Sequence, residues 1–313
     1  MFELRRNFLK CKNVLNYIEQ GEKKQINIGY GIDEKYIRPM IASIASFVYN
    51  NRNFNLQVHI VSGVLKEKDV NLLRKFAIDM KISMIYYEID DKLVSKFSIT
   101  KYWSIAMYYR YFLPYIVSDD VEYIFYFDAD IICNKSCEEL FLYKINKVIG
   151  AATDLDKTRK KQEKRLLLKG KYFNSGVLII NRSEWIKKDV LSELIKILNC
   201  SYKLKYPDQD ALNIIFDNDY CILSNKFNLL DMIDDKLENA SLLHFANHPK
   251  PWTREWRLNP AYDTSARDVY DFYEKKTPMR NVKKIKSGNV YMLIKWFIKK
   301  NLKLLLENFM LLY

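Results

Sequence analysis

The stretch Val121 to Cys133, VEYIFYFDADIIC, limits what this chain can fold into more than any other. Six of its first seven residues, all but Glu122, are apolar or aromatic, and the run ends on Asp128-Ala129-Asp130. A run of that length, rich in Ile, Tyr and Phe, predicts a strand buried on both faces in the middle of a mostly parallel sheet. Residues two apart on a strand point the same way, so Asp128 and Asp130 are expected to leave the sheet side by side. Two carboxylates held together against a hydrophobic strand repel each other. A hard divalent cation relieves that repulsion, and Mg²⁺ or Mn²⁺ held this way commonly also binds a substrate's phosphates. The plainer reading is a strand that runs into an acidic, solvated turn.

The rest of the chain supplies the sheet around that strand. Gln25–Gly31 reads as a first strand, followed by a loop at Gly29–Asp33 and a helix over Tyr36–Tyr49 with Ile37, Ile41, Ile44 and Val48 on one face. A strand at Gln57–Ser62, a helix at Lys66–Ile78 and a strand at Ile82–Ile89 continue the alternation, the pattern of a parallel sheet covered by helices. An aromatic-rich helix is expected over Ile99–Val117, ending near Pro114. Strands are expected at Lys147–Ala152, Phe173–Asn181, Cys221–Phe227 and Ser241–Phe245. Between them lie a basic loop or short helix (Lys157–Lys171), a helix over Ser183–Leu198 started by Ser183, and a helix over Pro207–Phe216. With 49% hydrophobic residues in 313, such a chain can bury a full core. No repeat or low-complexity linker divides it. Residues 1–24 are expected to form an amphipathic lead-in helix, 25–270 one α/β domain, and 271–313 a basic helical tail.

The net charge of +13 is uneven, because the last 39 residues alone carry +9. Tyr291, Ile294, Ile298, Leu302, Leu305, Phe309 and Leu312 recur at spacings of three and four, with Lys295, Lys299 and Lys303 alongside. That is the profile of an amphipathic helix lying on an anionic membrane; the alternative is a helix packed on the body. No run of eighteen uncharged apolar residues is present to span a bilayer, and the N-terminus lacks the apolar core of a signal peptide. Five cysteines with no CxxC pair fit reduced thiols in a cytoplasmic protein.

In open sheets, ligands gather beyond the carboxyl ends of the strands. Gly31–Lys35, Asp128–Asp130, Asp154 and His244–Trp252 all follow expected strands. Of the three histidines, His59 sits mid-strand and reads as a core residue, while His248 reads as a loop residue.

With these pieces in view, the chain resembles glycosyltransferase family 8, the retaining GT-A enzymes that include bacterial lipopolysaccharide galactosyl- and glucosyltransferases. The resemblance runs from Ile26 to Trp252 and rests on IGYGIDEKY, YYRYFLP, YFDADI, FNSGVLIIN, PDQDALN and HFANHPKPW in the family's order. It implies a Rossmann-like GT-A fold, a UDP-sugar donor, and Mn²⁺ (or Mg²⁺) held by Asp128, Asp130 and His244. It implies further that Gly31 and Asp33 receive uracil and ribose, that Lys250 meets the diphosphate, and that Arg110, Asn174, Asp208 and Gln209 surround the donor sugar. Asp154 falls near the acceptor, a saccharide or glycolipid. Lys35, Ala129 and Asn247 complete the donor set. Lys35 stands where an asparagine is usual, and Asn247-His248 where Gly-Pro is common.

The chemistry asks for these types. Negative charge left on the departing nucleotide is stabilised by a divalent cation and by Lys250 or Arg110. The positive charge developing on the sugar calls for carboxylate or amide oxygens, Asp208 and Gln209. A neutral amide is a poor nucleophile, so same-face transfer is favoured over a covalent intermediate. The expected function is hexose transfer in cell-surface glycan synthesis, by a cytoplasmic enzyme peripheral to the inner face of the membrane. Two alternatives stand beside it. A sugar-1-phosphate nucleotidyltransferase wants a better Gly-rich basic loop than GYGIDEK, and a nucleic-acid-binding protein wants positive charge spread over its body.

Overall fold

The computed structural model describes residues 8–19, 21–90, 104–200, 204–232, 234–258, 264–286 and 290–310. Ten strands are found among them: β1 (Leu9–Asn16), β2 (Gln25–Gly31), β3 (Asn55–Ser62), β4 (Ser83–Ile89), β5 (Tyr123–Phe127), β6 (Ile131–Cys133), β7 (Ile149–Thr153), β8 (Phe173–Asn181), β9 (Cys221–Leu223) and β10 (Leu242–His244). Eight of them make one mixed, mostly parallel sheet in the order β1-β4-β3-β2-β5-β8-β7-β9, and β6 and β10 pair separately. The chain steps outward from β2 through β3 to β4, then returns to lay β5 on the other side of β2, parallel to it. The order therefore reverses between β2 and β5, and the crevice at their carboxyl ends is where such a sheet leaves room for a ligand.

Alternation along the strands divides the core. Ile28, Tyr30, Phe125 and Phe127 face one side, where the helices Ile37–Asn50 and Glu67–Met80 bring Ile41, Phe47, Leu73 and Phe76. Ile124, Tyr126, Leu178 and Ile180 face the other, against Tyr111, Leu113, Trp185, Leu194 and Leu212. Gly29 makes the second layer possible, because a Cβ there would lie 2.1 Å from Leu113 Cδ2. The glycine lets the helix Tyr109–Ile116 sit close on the sheet.

Several expectations need correction. The lead-in helix expected over residues 1–24 is absent from the described part, where Leu9–Asn16 forms β1 antiparallel to β4. This edge strand is mostly exposed apart from Leu15, and residues 1–7 lie outside the described residues. The strand expected over Val121–Cys133 is two strands: the chain turns after Phe127, with Ile131 N–H donating to Asp128 O at 3.1 Å, and β6 leaves to pair with β10. The aspartates therefore sit in a turn rather than on one strand. The helix expected over Ile99–Val117 is a 3₁₀ turn at Ile105–Tyr108 followed by Tyr109–Ile116, residues 99–103 lying outside the described set. The helix over Ser183–Leu198 is broken at Asp189, whose φ is 51°, and Asn181 rather than Ser183 caps its first half by accepting from Glu184 N–H. The strand expected over Cys221–Phe227 stops at Leu223 and gives way to a 3₁₀ turn, Asn225–Phe227. Residues 157–171 begin within a helix, Asp156–Leu166.

Two helices, Thr264–Glu274 and Val290–Met310, follow the sheet. The buried Arg38–Glu274 pair (2.9 Å) ties the first of them to the body. Arg38 also donates to the carbonyls of Val282 and Lys283, which anchors the connecting segment. In the last helix Trp296 is buried, whereas Tyr291, Ile294, Phe297, Ile298 and Leu302 are exposed. Lys303, Leu305, Phe309 and Leu312 lie where side chains are outside the described set. Among the described residues no helix is long and apolar enough to cross a membrane.

Candidate functional site

Strand pairing assembles the centre of the site. Asp128 N–H donates to Gly176 O, which holds the turn after β5 against β8. The register of β6 with β10 places His244 opposite Ile131, and Phe245 N–H donates to Asp130 O. A histidine more than a hundred residues away is thus carried to the two aspartates by backbone geometry. Its Nε2 lies 3.3 Å from Asp130 Oδ1 and 3.9 Å from Asp128 Oδ2, and one ligand atom from each of the three residues falls within 4.8 Å of the others. Two carboxylate oxygens and one imidazole nitrogen at that spacing fit a divalent cation that accepts mixed oxygen and nitrogen ligands.

Hydrogen bonds fix which imidazole nitrogen faces the aspartates. Gly176 N–H donates to Asn174 Oδ1 at 3.0 Å, so that atom is the oxygen. The group of Asn228 that meets it, at 2.9 Å, is therefore the amide NH₂, and Asn228 Oδ1 turns to His244 Nδ1 at 2.9 Å. Nδ1 thus carries a proton, and Nε2 is the nitrogen turned to the centre, where a cation would meet its lone pair. Gly176 has a second role, since a Cβ there would lie 2.3 Å from His244 Cε1.

The chain of amides continues toward the other end of the cleft. Asn174 Nδ2 and Ser175 N–H both donate to Gln209 Oε1, at 3.1 and 3.0 Å. Gln209 Nε2 donates to Asp154 Oδ2 and to Tyr172 OH. With Ser175 OH also donating to it at 3.4 Å, the oxygen of Gln209 is occupied by three donors, which adds to the weakness of a neutral amide as a nucleophile. Burial raises the Asp154 carboxyl above the ordinary range, against the hydrogen bonds it accepts.

Two buried cations balance the carboxylates. Lys250 Nζ donates to Asp130 Oδ2 (2.6 Å), Phe245 O (2.8 Å) and Ala246 O (3.0 Å), which uses all three of its protons. Burial alone would raise the Asp130 carboxyl, but Lys250 and His244 outweigh it and hold the group below the usual carboxylate range. Arg110 bridges Asp128 Oδ1 (2.9 Å) and Asp208 Oδ2 (3.1 Å), donates to the Ser175 and Met107 carbonyls, and lies 4.6 Å over the Tyr126 ring. Burial raises the Asp208 carboxyl, Arg110 opposes this, and Asp128 adds to it. Asp208 occupies the first turn of the helix Pro207–Ile215 behind Tyr206 at the N-cap, and Asp210 instead accepts from Lys205 and Tyr206 N–H.

All fourteen candidate residues line one cleft of about 680 Å³: Gly31, Asp33, Lys35, Arg110, Asp128, Ala129, Asp130, Asp154, Asn174, Asp208, Gln209, His244, Asn247 and Lys250. Asp33 Oδ1 accepts from Lys35 N–H and shapes the loop after β2. At Gly31 a Cβ would come within 3.0 Å of Tyr109 Cβ, so glycine admits that helix to the cleft wall. Asn247 is not in the left-handed region, so glycine's freedom is not required there. His59 is a satisfied core residue, bonded to Tyr87 OH and Asn27 Oδ1. Sequence reasoning missed Asn228, Gly176 and Tyr126, whose OH donates to Asp128 Oδ1 at 3.1 Å. Gly176 and Tyr126 lie inside motifs already noted, but nothing in the sequence marks Asn228.

Comparison with known proteins completes the picture. A model of glycosyl transferase family 8 matches residues 27–256. The chain is 30% identical over 285 residues to a lipopolysaccharide 1,2-glucosyltransferase of Escherichia coli, covering 85% of this chain and 82% of that protein. It is 26% identical over 264 residues to a lipopolysaccharide 1,3-galactosyltransferase of Salmonella typhimurium, covering 78% of each. Among solved structures, the galactosyltransferase LgtC, in complex with donor and acceptor sugar analogues, superposes with a TM-score of 0.69 at 19% identity, covering 81% of this chain and 96% of that one.

Proposed function

The chain belongs to glycosyl transferase family 8, and from that premise we propose that it is a metal-dependent retaining enzyme moving a hexose from a UDP-sugar to a saccharide or lipid-linked saccharide. The observation that carries this reading is the meeting of Asp128, Asp130 and His244 beside Lys250 on the floor of the cleft. A divalent cation there, Mn²⁺ or Mg²⁺, would neutralise the diphosphate as it leaves. Asp128, Asp130 and the Nε2 of His244 would hold it. Gly31, Asp33 and Lys35, at the carboxyl end of β2, would take the nucleoside, with Ala129 and Asn247 beside it.

Lys250 keeps its ammonium beside Asp130, where it adds positive charge next to the leaving diphosphate. Arg110, fixed by four partners, holds the Asp208 carboxylate where positive charge develops on the sugar. Gln209, its oxygen already bound, orients Asn174 and Asp154 rather than attacking the sugar. That favours same-face transfer, with the departing phosphate taking the acceptor's proton. Asp154 marks the acceptor end of the cleft.

The test is a thermal shift with UDP and Mn²⁺ against CTP, glucose-1-phosphate and RNA. A ligand at about a hundred times its Kd stabilises by roughly 2.7 kcal/mol. UDP with Mn²⁺ should shift the wild type, and a response to RNA alone would overturn the assignment.

The last helix belongs to the same reading. Its exposed Tyr291, Ile294, Ile298 and Leu302, with Lys295 and Lys299 alongside, suit the surface of an anionic membrane and support an enzyme working at the cytoplasmic face. The pair Ile294→Asp and Ile298→Asp should release the protein from anionic vesicles; undiminished binding removes this part of the proposal.

A further inference from the structure

The chain carries +13, its last 39 residues +9, and residues 157–171 a further +7, which leaves the rest at −3. The body's positive excess therefore lies in one segment. That segment begins three residues past Asp154, in the helix Asp156–Leu166. Leu155 and Thr158 line the cleft, and Arg159, Glu163, Lys169 and Lys171 line a second cavity of about 370 Å³.

The acids nearby are already taken. Asp156 and Glu163 are held by Arg159, and Asp210 by Arg165. Lys157, Lys160, Lys161 and Lys164 make no hydrogen bond or salt bridge among the described residues, and all four are exposed. Their spacing of three, four and seven puts them on one face, opposite the buried Gln162, over about 10 Å of helix. A solvated face is usually leavened with acids, so that its charges pair at i and i+4. This one is a row of like charges at those separations, a small but definite cost to the helix.

We propose that the exposed lysine face of Asp156–Leu166, on the helix that begins two residues past Asp154, binds phosphate groups on the saccharide acceptor. This rests on the glycosyltransferase reading and names the acceptor's chemical class. Ammonium groups spread over two turns suit several separated phosphates, each met as a point charge. The net negative charge of the rest of the body selects against a long polyanion that would cover more surface than this helix offers.

The test is a calorimetric titration of the full chain, with UDP and Mn²⁺ present, by a deacylated lipopolysaccharide core oligosaccharide in phosphorylated and enzymatically dephosphorylated forms. The phosphorylated form should bind about tenfold tighter at about 50 mM salt, with most of that advantage lost at about 500 mM. Lys157→Gln, Lys160→Gln, Lys161→Gln and Lys164→Gln combined should reduce its affinity to that of the dephosphorylated form. Hydrolysis of the UDP-sugar by the variant serves as its folding control. Equal affinity for the two forms, no binding of either, or a variant that binds like the wild type would overturn the proposal. So would a variant that loses only anionic vesicles, since the lysines would then serve the membrane. Failure of the wild type to hydrolyse any UDP-sugar would strike the enzymatic reading instead, because the titration needs no turnover.

Discussion

The floor of the cleft and its outer wall use charge in opposite ways. On the floor, Asp128, Asp130, Asp208, Arg110 and Lys250 are mostly buried and paired with one another. On the wall, the lysines of Asp156–Leu166 are exposed and unmatched. A buried charge without its partner costs several kcal/mol, so each floor residue depends on its neighbours' exact chemistry. An exposed charge is worth a fraction of that and acts through number and sign. The floor should therefore respond sharply to single substitutions, and the wall only to several at once.

The largest effect should come from Asp130→Asn. It removes a carboxylate that both His244 and Lys250 approach, and activity should fall by about 10²–10³ or more, as when an electrostatic donor to a reacting centre is lost. Turnover of a UDP-sugar checks this, and a loss under tenfold would put the floor on a level with the wall.

Asn228→Ala comes next, although this residue does not line the cleft. Without its amide, His244 Nδ1 loses its partner and Asn174 Oδ1 keeps only Gly176 N–H, so the ring is free to change tautomer. Loss of a partner behind a metal ligand typically costs about 10–100-fold in metal affinity. Mn²⁺ titration in the presence of UDP reads it directly, and Asn228→Asp, which keeps the acceptor for Nδ1–H, should recover part of the loss.

Asp208→Asn should act in the opposite direction on stability. Burial raises this carboxyl, so the charged form is disfavoured in the folded protein and stability is lost as pH rises through the folded value. Arg110 keeps Asp128 as a partner, so removing the Asp208 charge should stabilise the fold near neutral pH, at a cost in activity. The gain should shrink below about pH 4, where the wild-type group is protonated in both states. Denaturant midpoints at the two pH values measure this, and a variant less stable at neutral pH would mean that Arg110 needs both its carboxylates.

The smallest effect is expected from Lys160→Gln alone. A single exposed charge is worth about 0.2–1 kcal/mol, so acceptor affinity should change less than about fivefold. A larger loss would mean that the wall, too, works through one dedicated contact.

The same contrast explains what was legible in the sequence. Strands β2 to β5 and β8 were visible because they are buried, and burial writes continuous apolar runs with polar punctuation. All the candidate residues but Asp154, which was placed only by following an expected strand, were visible through short motifs, and all of them line the same cleft. The turn between β5 and β6 was hidden, because Ile131, Ile132 and Cys133 continue the apolar run while pairing with a different strand. β1 was hidden because it is an edge strand, where Lys10 and Lys12 interrupt the pattern and only Leu15 is buried. Asn228 left no trace, since its role is a contact with His244 across 16 residues and carries no periodicity. The Asp156–Leu166 helix was ambiguous because a single buried side chain, Gln162, gives it no apolar stripe.

The central claim is that Asp128, Asp130 and His244 hold one divalent cation against a nucleoside diphosphate. Titration of Mn²⁺ followed by its electron paramagnetic resonance signal, with and without UDP, tests it most directly. One bound Mn²⁺ per chain, tightened by UDP and abolished by Asp130→Asn, is the result expected. Binding that survives both Asp130→Asn and His244→Ala, or that ignores UDP, would contradict it.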